Sequence, residues 1–555
     1  MKTLIIGEYP TAEEARKQKP FSGPGGLSLQ GMLTYAGIKP KDRTFVNLVS
    51  TPPLHNEMTQ FCIKTKEANA QKLTPTKGIF PKEELKNGLE FLKQHLAQNR
   101  YDLIIAAGSW AMWAVTEDQF DIGNDSGFKV PKGIGKYRGS MLRLDDGTPL
   151  LPIYNQQDMS KVRPWYYKTV HDITARVKLL AANKWDDPER NFWIRPNFED
   201  VRRILNMLQE WKAKDKPIKV ACDIETKGHS IVCIGFAWSK YDAICIPFTD
   251  LQAEDKHYWS EVEEAAIIAM LQQLFENPNI KLVGQNFVFD AQYINFYWHV
   301  QPHIHEDTML MQHLVYPGTE LDLNTLSSMY CEFHRYWKDD GKEWLKNMDE
   351  ERLWTYNCRD CVVTFEASEP LEQLITYHDL DLQWSWQQRQ INEILDMMIR
   401  GVRIDPERKH MARHELDLRI EQYQERLEQL LPEDVYPRKP KASAYYSSVP
   451  QLNDIFRNYF GQKPYWNRKK KTYTMDDSAL EYYADREPLL AELCNTLREY
   501  RSLSTFKTFT HMPTSPDGRM RSSYTPTAET FRWKSSENVF GDGGNLQNLP
   551  KGNEE

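Results

Sequence analysis

Asp223-Ile224-Glu225-Thr226 closes an apolar run in which Val220, Cys222 and Ile224 alternate with Ala221, Asp223 and Glu225. A period of two is the period of a strand, so the two carboxylates share one face of a buried element. Like charges on one face of a strand end are costly unless a cation neutralises them. Two further segments bring more acid. Asn286-Phe287-Val288-Phe289-Asp290 follows the apolar stretch 281–284 and supplies a third carboxylate. Tyr356-Asn357-Cys358-Arg359-Asp360 reads as helix and supplies a fourth, with Tyr356 one turn before Asp360 on the same face. Asp223, Asp290 and Asp360 are spaced 67 and 70 residues apart. An Asp-x-Glu at a strand end is usually plain surface; the ordered trio is much harder to obtain by accident.

Four hard oxygen donors and a phenol suit a two-Mg²⁺ phosphodiesterase, with Mn²⁺ able to substitute. Two ions about 3.5–4 Å apart activate a water and stabilise a leaving 3′ oxygen. Asp223, Glu225, Asp290 and Asp360 are the expected metal ligands, and Tyr356 would orient the attacking water.

The chain has 555 residues, enough for about three or four domains. With 40% hydrophobic and 27% charged residues it has the composition of a folded globular protein. No stretch reaches the roughly 18–20 apolar residues that span a bilayer. Eight cysteines spread from Cys62 to Cys494 read as reduced thiols. Net charge is −8, yet residues 437–471 hold nine Lys/Arg against one acid, and residues 498–534 hold seven against three. Such stretches suggest a local nucleic-acid surface. Residues 1–185 mix short apolar strands with helix patterns, 186–214 read as a linker and the start of a second α/β unit over 215–390, and helix dominates after about residue 390. Asp405-Pro406 is a strong helix start, and Leu416, Ile420, Tyr423, Leu427 and Leu430 recur at helical spacing after it. Gly23-Pro24-Gly25-Gly26 lacks the Lys-Ser/Thr of a phosphate loop and reads as a pocket-lining turn.

The three acidic motifs, with Glu306-Asp307-Thr308-Met309-Leu310 and Leu321-Asp322-Leu323-Asn324-Thr325-Leu326 between them, resemble the DEDDy 3′–5′ exonucleases, specifically the proofreading domain of family-A DNA polymerases. The resemblance implies an RNase H-like α/β fold and places Asn286 against DNA. It continues through Met397–Asp405, Leu497–Lys507, Gly518–Tyr524, Thr530-Phe531-Arg532 and Asn545–Pro550, which are similar to the family's mainly helical thumb over 391–535. Lys507, Arg519, Arg532, Lys469 and Lys470 are thereby implied as phosphate contacts, which position a duplex without reading its sequence. Residues 536–555 are expected to be a flexible tail. The family's palm aspartates and His-Asp-Glu motif are not found: His171-Asp172 and His378-Asp379 are each followed by an apolar residue. The expectation is a chain that does not polymerise alone: either, as preferred, the N-terminal half of a polymerase split across two polypeptides, with palm and fingers on the second, or a longer protein that has been cut.

Gly7-Glu8-Tyr9-Pro10, Lys19-Pro20-Phe21-Ser22-Gly23 and Phe45-Val46-Asn47-Leu48-Val49 resemble the uracil-DNA glycosylase superfamily across about 170 residues, implying an α/β domain with a flipped-base pocket. Phe21 would stack on the base and Asn47 read its edge. Asn155 stands where that family carries the His of His-Pro-Ser, and a neutral amide cannot stabilise a leaving uracil anion as an imidazole does. Glu8 is left to orient a water. The expected fold is thus multidomain: a glycosylase-like domain (1–185), an RNase H-like exonuclease (215–390) and a mainly helical thumb (391–535). The implied partners are primer–template DNA and single-stranded 3′ ends, with no membrane, in the cytoplasm of an infected bacterial cell. The rival readings are an autonomous exonuclease, a uracil-recognising repair protein and a non-catalytic DNA clamp.

Overall fold

The computed structural model describes residues 1–116, 120–210, 217–347, 349–432 and 444–548. The chain forms two compact units, Met1–Asn392 and Glu393–Glu555.

The first unit holds two large separate sheets, besides the short antiparallel pair Asp121–Asp125 and Phe128–Lys132. The N-terminal sheet runs in the order Arg43–Asn47, Thr3–Gly7, Leu103–Ala107, Pro149–Ile153, Leu142–Arg143. The first four are parallel, and the last turns antiparallel at the edge. Thr3–Gly7, Leu103–Ala107 and Pro149–Ile153 are buried along their whole length, which is why their sequences are unbroken apolar runs. Ile5 packs with Leu29, Leu33, Ile173 and Val177 from the helices Pro24–Tyr35 and Arg163–Ala181. Its neighbours Leu4 and Ile6 face the opposite layer, with Leu85, Leu92, Trp110 and Trp113. The expected turn at 23–26 is instead a helix start: Gly23 is the cap and Pro24 the first helical residue, because proline's fixed φ and missing N–H suit that position.

The second sheet runs Glu306–Asp307, Ile280–Gly284, Ile218–Lys227, Ser230–Ala237, Asp242–Pro247, Asn191–Trp193. Ile218–Lys227, Ser230–Ala237 and Asp242–Pro247 pair antiparallel in succession, while Ile280–Gly284 lies parallel to Ile218–Lys227. Asn191–Trp193, within the segment read as a linker, joins this sheet beside Asp242–Pro247. The 28-residue helix Glu350–Tyr377 covers one face, packing Leu353, Cys358, Cys361 and Val362 on Ala221, Cys233 and Cys245.

A polar seam joins the two layers. Arg138 pairs with Asp172 at 3.0 Å, both essentially without solvent exposure, and Arg138 also donates to Ser328 Oγ. Arg176, likewise buried, donates to Gly139 O, Ser328 O and Glu332 O at 2.8, 2.9 and 3.1 Å. Lys168 reaches across to Glu320.

In the second unit, Asp405 caps the helix Pro406–Leu430, about 37 Å long at 1.5 Å per residue. Its buried Leu416, Ile420 and Leu427 pack on the helices Asp477–Arg486 and Pro488–His511 through Leu480, Tyr483, Leu493 and Leu497. The tail expected to be flexible is tied down as far as residue 548. Ser522 Oγ donates to Gly544 O, Gly544 N to Arg521 O, and Gln547 Nε2 to Trp533 O. Residues 549–555 lie outside the described residues. Among the described residues no helix is long and apolar enough to cross a membrane.

Removing one partner of a fully buried ion pair leaves the other charge uncompensated. Asp172→Ala should therefore cost about 3–5 kcal/mol of stability, read as a lower urea midpoint for the first unit, whereas the exposed pair partner Asp146→Ala should cost under about 1 kcal/mol.

Candidate active site

Asp223 sits opposite Gly235 of the neighbouring strand. A Cβ at Gly235 would lie 2.3 Å from Asn357 Oδ1, so the missing side chain is what lets Asn357 come down from its helix onto the sheet. Asn357 Nδ2 then donates to Asp223 O at 3.1 Å and to Asp223 Oδ2 at 2.9 Å. The same helix brings Asp360 over the strand end, and Asp223, Glu225 and Asp360 offer oxygens that all lie within 4.8 Å of one another.

Asp290 belongs to the first turn of the helix Val288–Trp298, and its Oδ1 accepts from Ile224 N at 2.8 Å. It is thus fastened to the strand between Asp223 and Glu225, outside the cluster of three. The turn leading to it is pinned from behind. Asp307 accepts from Asn286 N at 3.1 Å and Phe287 N at 2.8 Å, and Asn286 is exposed with φ +56°, a left-handed conformation that Asn tolerates. Burial pushes the Asp307 carboxyl up to about 6.

The electrostatics are those of crowded buried acids. Burial, then repulsion from Asp360, pushes Asp223 up to about 7. Glu225 is raised well above the carboxylate range by burial and then by Asp223, and Asp290 by the same two causes. Burial and then Asp360, Glu225 and Asp223 drive the Tyr356 phenol upward. Among the described residues Lys338 is the cation that answers them. Lys338 Nζ lies 2.5 Å from Asp360 Oδ2 and 3.1 Å from Tyr356 Oη, while Trp337 Nε1 donates to Asp360 Oδ1 at 2.6 Å. Burial works against the Lys338 ammonium, but Asp360, Asp223 and Glu225 together hold the group above its ordinary value. Among the described residues one ammonium faces four acids that offer hard oxygen donors, a set that fits divalent cations.

Trp337, Lys338 and Asn357 were not found from sequence. Asn357 lies inside the Tyr-x-x-x-Asp motif, where its type carries no signal beside Tyr356 and Asp360. Trp337 and Lys338 lie in the irregular stretch between the helices Leu323–Tyr330 and Asp340–Asn347, which has no periodicity to read.

The glycosylase-like pocket is arranged differently from expectation. Phe21 is fully buried in a left-handed conformation (φ +57°), its ring 5.0 Å from Phe45, so its faces are taken up by the protein core rather than offered to a base. Asn47 Oδ1 is buried with no hydrogen-bond partner. Asn155 is buried, caps its helix through Gln157 N, and donates to Glu8 Oε2 at 2.6 Å. Glu8 Oε1 accepts from Trp110 N at 3.0 Å. Both Glu8 oxygens are therefore engaged, and burial pushes its carboxyl up to about 7. A side chain at Gly108 would collide with Glu8 Oε1 at 2.3 Å, which shows how tightly the carboxylate is boxed in.

Of the cations expected to grip DNA, Lys507 pairs with Asp417 at 2.8 Å and Lys470 with Asp476 at 2.7 Å. Arg519 donates to Arg400 O and Gly401 O at 3.2 and 3.3 Å. Lys469 and Arg532 are exposed.

Comparison with known proteins agrees with this layout. Residues 197–376 match the 3′–5′ exonuclease family of DNA polymerase A, and residues 1–171 match the uracil DNA glycosylase superfamily. A DNA polymerase of Bacillus phage SP01 is 20% identical over 511 residues, covering 82% of this chain and 50% of that protein; the chain spans about half the length of this curated relative. The POL domain of Pol1 from M. smegmatis, solved with DNA primer-template and dNTP, is similar at 17% identity and TM-score 0.48, over 66% of this chain and 57% of that one. The chain therefore joins a uracil-DNA-glycosylase-like domain to a polymerase-A-type 3′–5′ exonuclease domain, a nuclease that uses divalent metal.

Carboxylates whose folded pKa lies above the unfolded value destabilise the metal-free fold progressively as pH rises from about 4 towards about 7. A divalent cation reverses that penalty, by about 2.7 kcal/mol at 100-fold excess over its Kd. The rise in melting temperature on adding Mn²⁺ should be small at pH 5.5, larger at pH 8, and mostly lost in Asp223→Ala; a gain that falls with pH would contradict the assignment.

Proposed function

We propose that the chain is the proofreading portion of a family-A replicative DNA polymerase, removing nucleotides from a mismatched primer 3′ end. The observation that carries this reading is the convergence of Asp223, Glu225 and Asp360, with Asp290 alongside, at one strand end. Two Mg²⁺ ions held by these four residues would activate a water and stabilise the departing 3′ oxygen. The protein's own part is positioning. Tyr356 orients the attacking water through its hydroxyl, Asn357 fixes the Asp223 carboxylate, and Asp290 is held in line by Ile224 N. Asn286, exposed beside the site, contacts the DNA strand. Lys469 and Arg532 meet duplex phosphates, and Lys507, Lys470 and Arg519 do so by exchanging their present partners. Nucleotidyl transfer is assigned to palm and fingers outside these 555 residues. The similarity to a phage DNA polymerase of which this chain covers only 50% supports that assignment and points to an infected bacterial cell as the setting.

The N-terminal domain is not assigned uracil excision. Asn155 stands where an imidazole would stabilise a uracil anion, and its amide is engaged in donating to Glu8 Oε2. Incubation with uracil-containing DNA followed by alkali should leave the strand intact, and cleavage above the background of Glu8→Ala would reverse this.

Degradation of a 5′-labelled mismatched primer–template in Mg²⁺ tests the main reading. Stepwise 3′ shortening is expected, faster on the mismatch than on a paired end, and reduced at least about 10²-fold in Asp223→Ala/Glu225→Ala. Shortening that survives this double substitution would refute it.

A further inference from the structure

The loop carrying Trp337 and Lys338 faces two ways. Its nine residues from Cys331 to Asp339 link the helices Leu323–Tyr330 and Asp340–Asn347. On one side Trp337 and Lys338 reach Asp360 and Tyr356. On the other the loop is built into the N-terminal domain. Phe333 belongs to that domain's core, among Ile5, Leu151 and Ile173. Met141 N donates to His334 O at 3.0 Å, Arg335 Nε to Met141 O at 3.1 Å, and Tyr336 N to Ser140 Oγ at 3.2 Å. Lys136 pairs with Asp339 at 2.6 Å, and the Tyr137 and Tyr336 rings meet edge to face at 5.0 Å. Residues 333, 334, 335, 336 and 339 are thus each gripped by the N-terminal domain, and the two between them enter the exonuclease site.

We propose that Lys338 is a positioning residue of the exonuclease, and that the N-terminal domain holds it there. The inference rests on the exonuclease reading given above. By donating to the Tyr356 oxygen, Lys338 holds the phenol, itself hydrogen-bonded to Asp360, in place beside the acidic cluster. By taking Asp360 Oδ2 while Trp337 takes Oδ1, the loop fixes both oxygens of that carboxylate, whose remaining lone pairs stay open to a cation. An isolated lysine has ample rotamer freedom to leave such a pose, and its loop has no regular backbone hydrogen bonds of its own. The clamp from residues 136–141 supplies the rigidity that the loop lacks. On this account the glycosylase-like domain acts as a structural part of the nuclease, which explains why its helix Arg163–Ala181 spends Lys168, Asp172 and Arg176 on the seam.

The experiment compares wild type, Lys338→Ala, Lys338→Arg, Lys136→Met and the double variant Lys136→Met/Lys338→Ala, each first shown by thermal melting to be folded. Single-turnover shortening of a mismatched primer is measured alongside Mn²⁺ affinity by EPR. Lys338→Ala should lose about 10²-fold in rate with little change in DNA KM, and Lys338→Arg should recover part of it. Removing a positive charge beside acidic ligands should tighten Mn²⁺ binding several-fold, whereas a site that had merely collapsed would bind it more weakly. Lys136→Met, which touches no catalytic group, should slow the wild type about 5–10-fold yet slow Lys338→Ala by less than about 2-fold, as expected for residues acting through one another. Wild-type rate or weakened Mn²⁺ binding in Lys338→Ala would overturn the role of Lys338. Equal losses from Lys136→Met in both backgrounds would overturn the clamp. A wild-type chain that shortens no primer would instead overturn the exonuclease reading, and this inference with it.

Discussion

Four carboxylates around one strand end set the terms for the rest of the first unit. Asp223 and Glu225 are brought to one face by strand alternation, and burial raises the cost of ionising either. The surrounding elements are arranged to make that charge tolerable without dispersing it. Asn357 donates to Asp223, Ile224 N to Asp290, and Trp337 and Lys338 to Asp360. Each donor constrains its own element: the helix Glu350–Tyr377 must lie close enough for Asn357 to reach the sheet, which requires Gly235 beneath it. The residual negative charge is the functional product of this packing, since it gives the site its appetite for divalent cations.

The seam between the N-terminal layer and the nuclease layer follows a different logic. Arg138, Asp172 and Arg176 are buried there, where an ion pair contributes little net stability yet is costly to disrupt. Such a contact is poor glue and good registration: it admits one relative placement of the helix Arg163–Ala181 and the segment 328–332. That placement puts residues 136–141 against the loop that enters the active site. The glycosylase-like domain has meanwhile given up the openness of its own pocket, with Phe21 packed away and Glu8 occupied by Asn155 and Trp110 N.

Much of this was legible in the residues themselves. Unbroken apolar runs at 3–7 and 103–107 are parallel strands covered on both sides. The alternation at 220–225 places Asp223 and Glu225 together, and Asp405-Pro406 starts a helix whose buried stripe is Leu416, Ile420 and Leu427. The misreadings are equally local in origin. Gly23-Pro24-Gly25-Gly26 looks like a turn because glycine is a poor helix former, yet proline at the first helical position outweighs it. Phe21 looks like a stacking platform because sequence carries residue type but not exposure. The tail through residue 548 looks loose because Gly541–Gly544 has no apolar side chain, whereas it is held by the Gly544 backbone and the Gln547 side chain.

What the sequence determined by itself is therefore the chemistry with short-range grammar: strand period for Asp223 and Glu225, one helical turn for Tyr356 and Asp360, and the order of motifs that ties them to one family of folds. Only the tertiary structure decided that Lys338 and Trp337 complete the site, that Asn357 holds Asp223, and that the N-terminal domain grips the loop between them. The reason is physical. Periodicity reports which side of its own element a residue faces, and it holds only where the backbone repeats. Residues 331–339 have no repeat, and their partners lie about 20 residues away in one direction and nearly 200 in the other, so their roles exist only once two separate sheets have packed together.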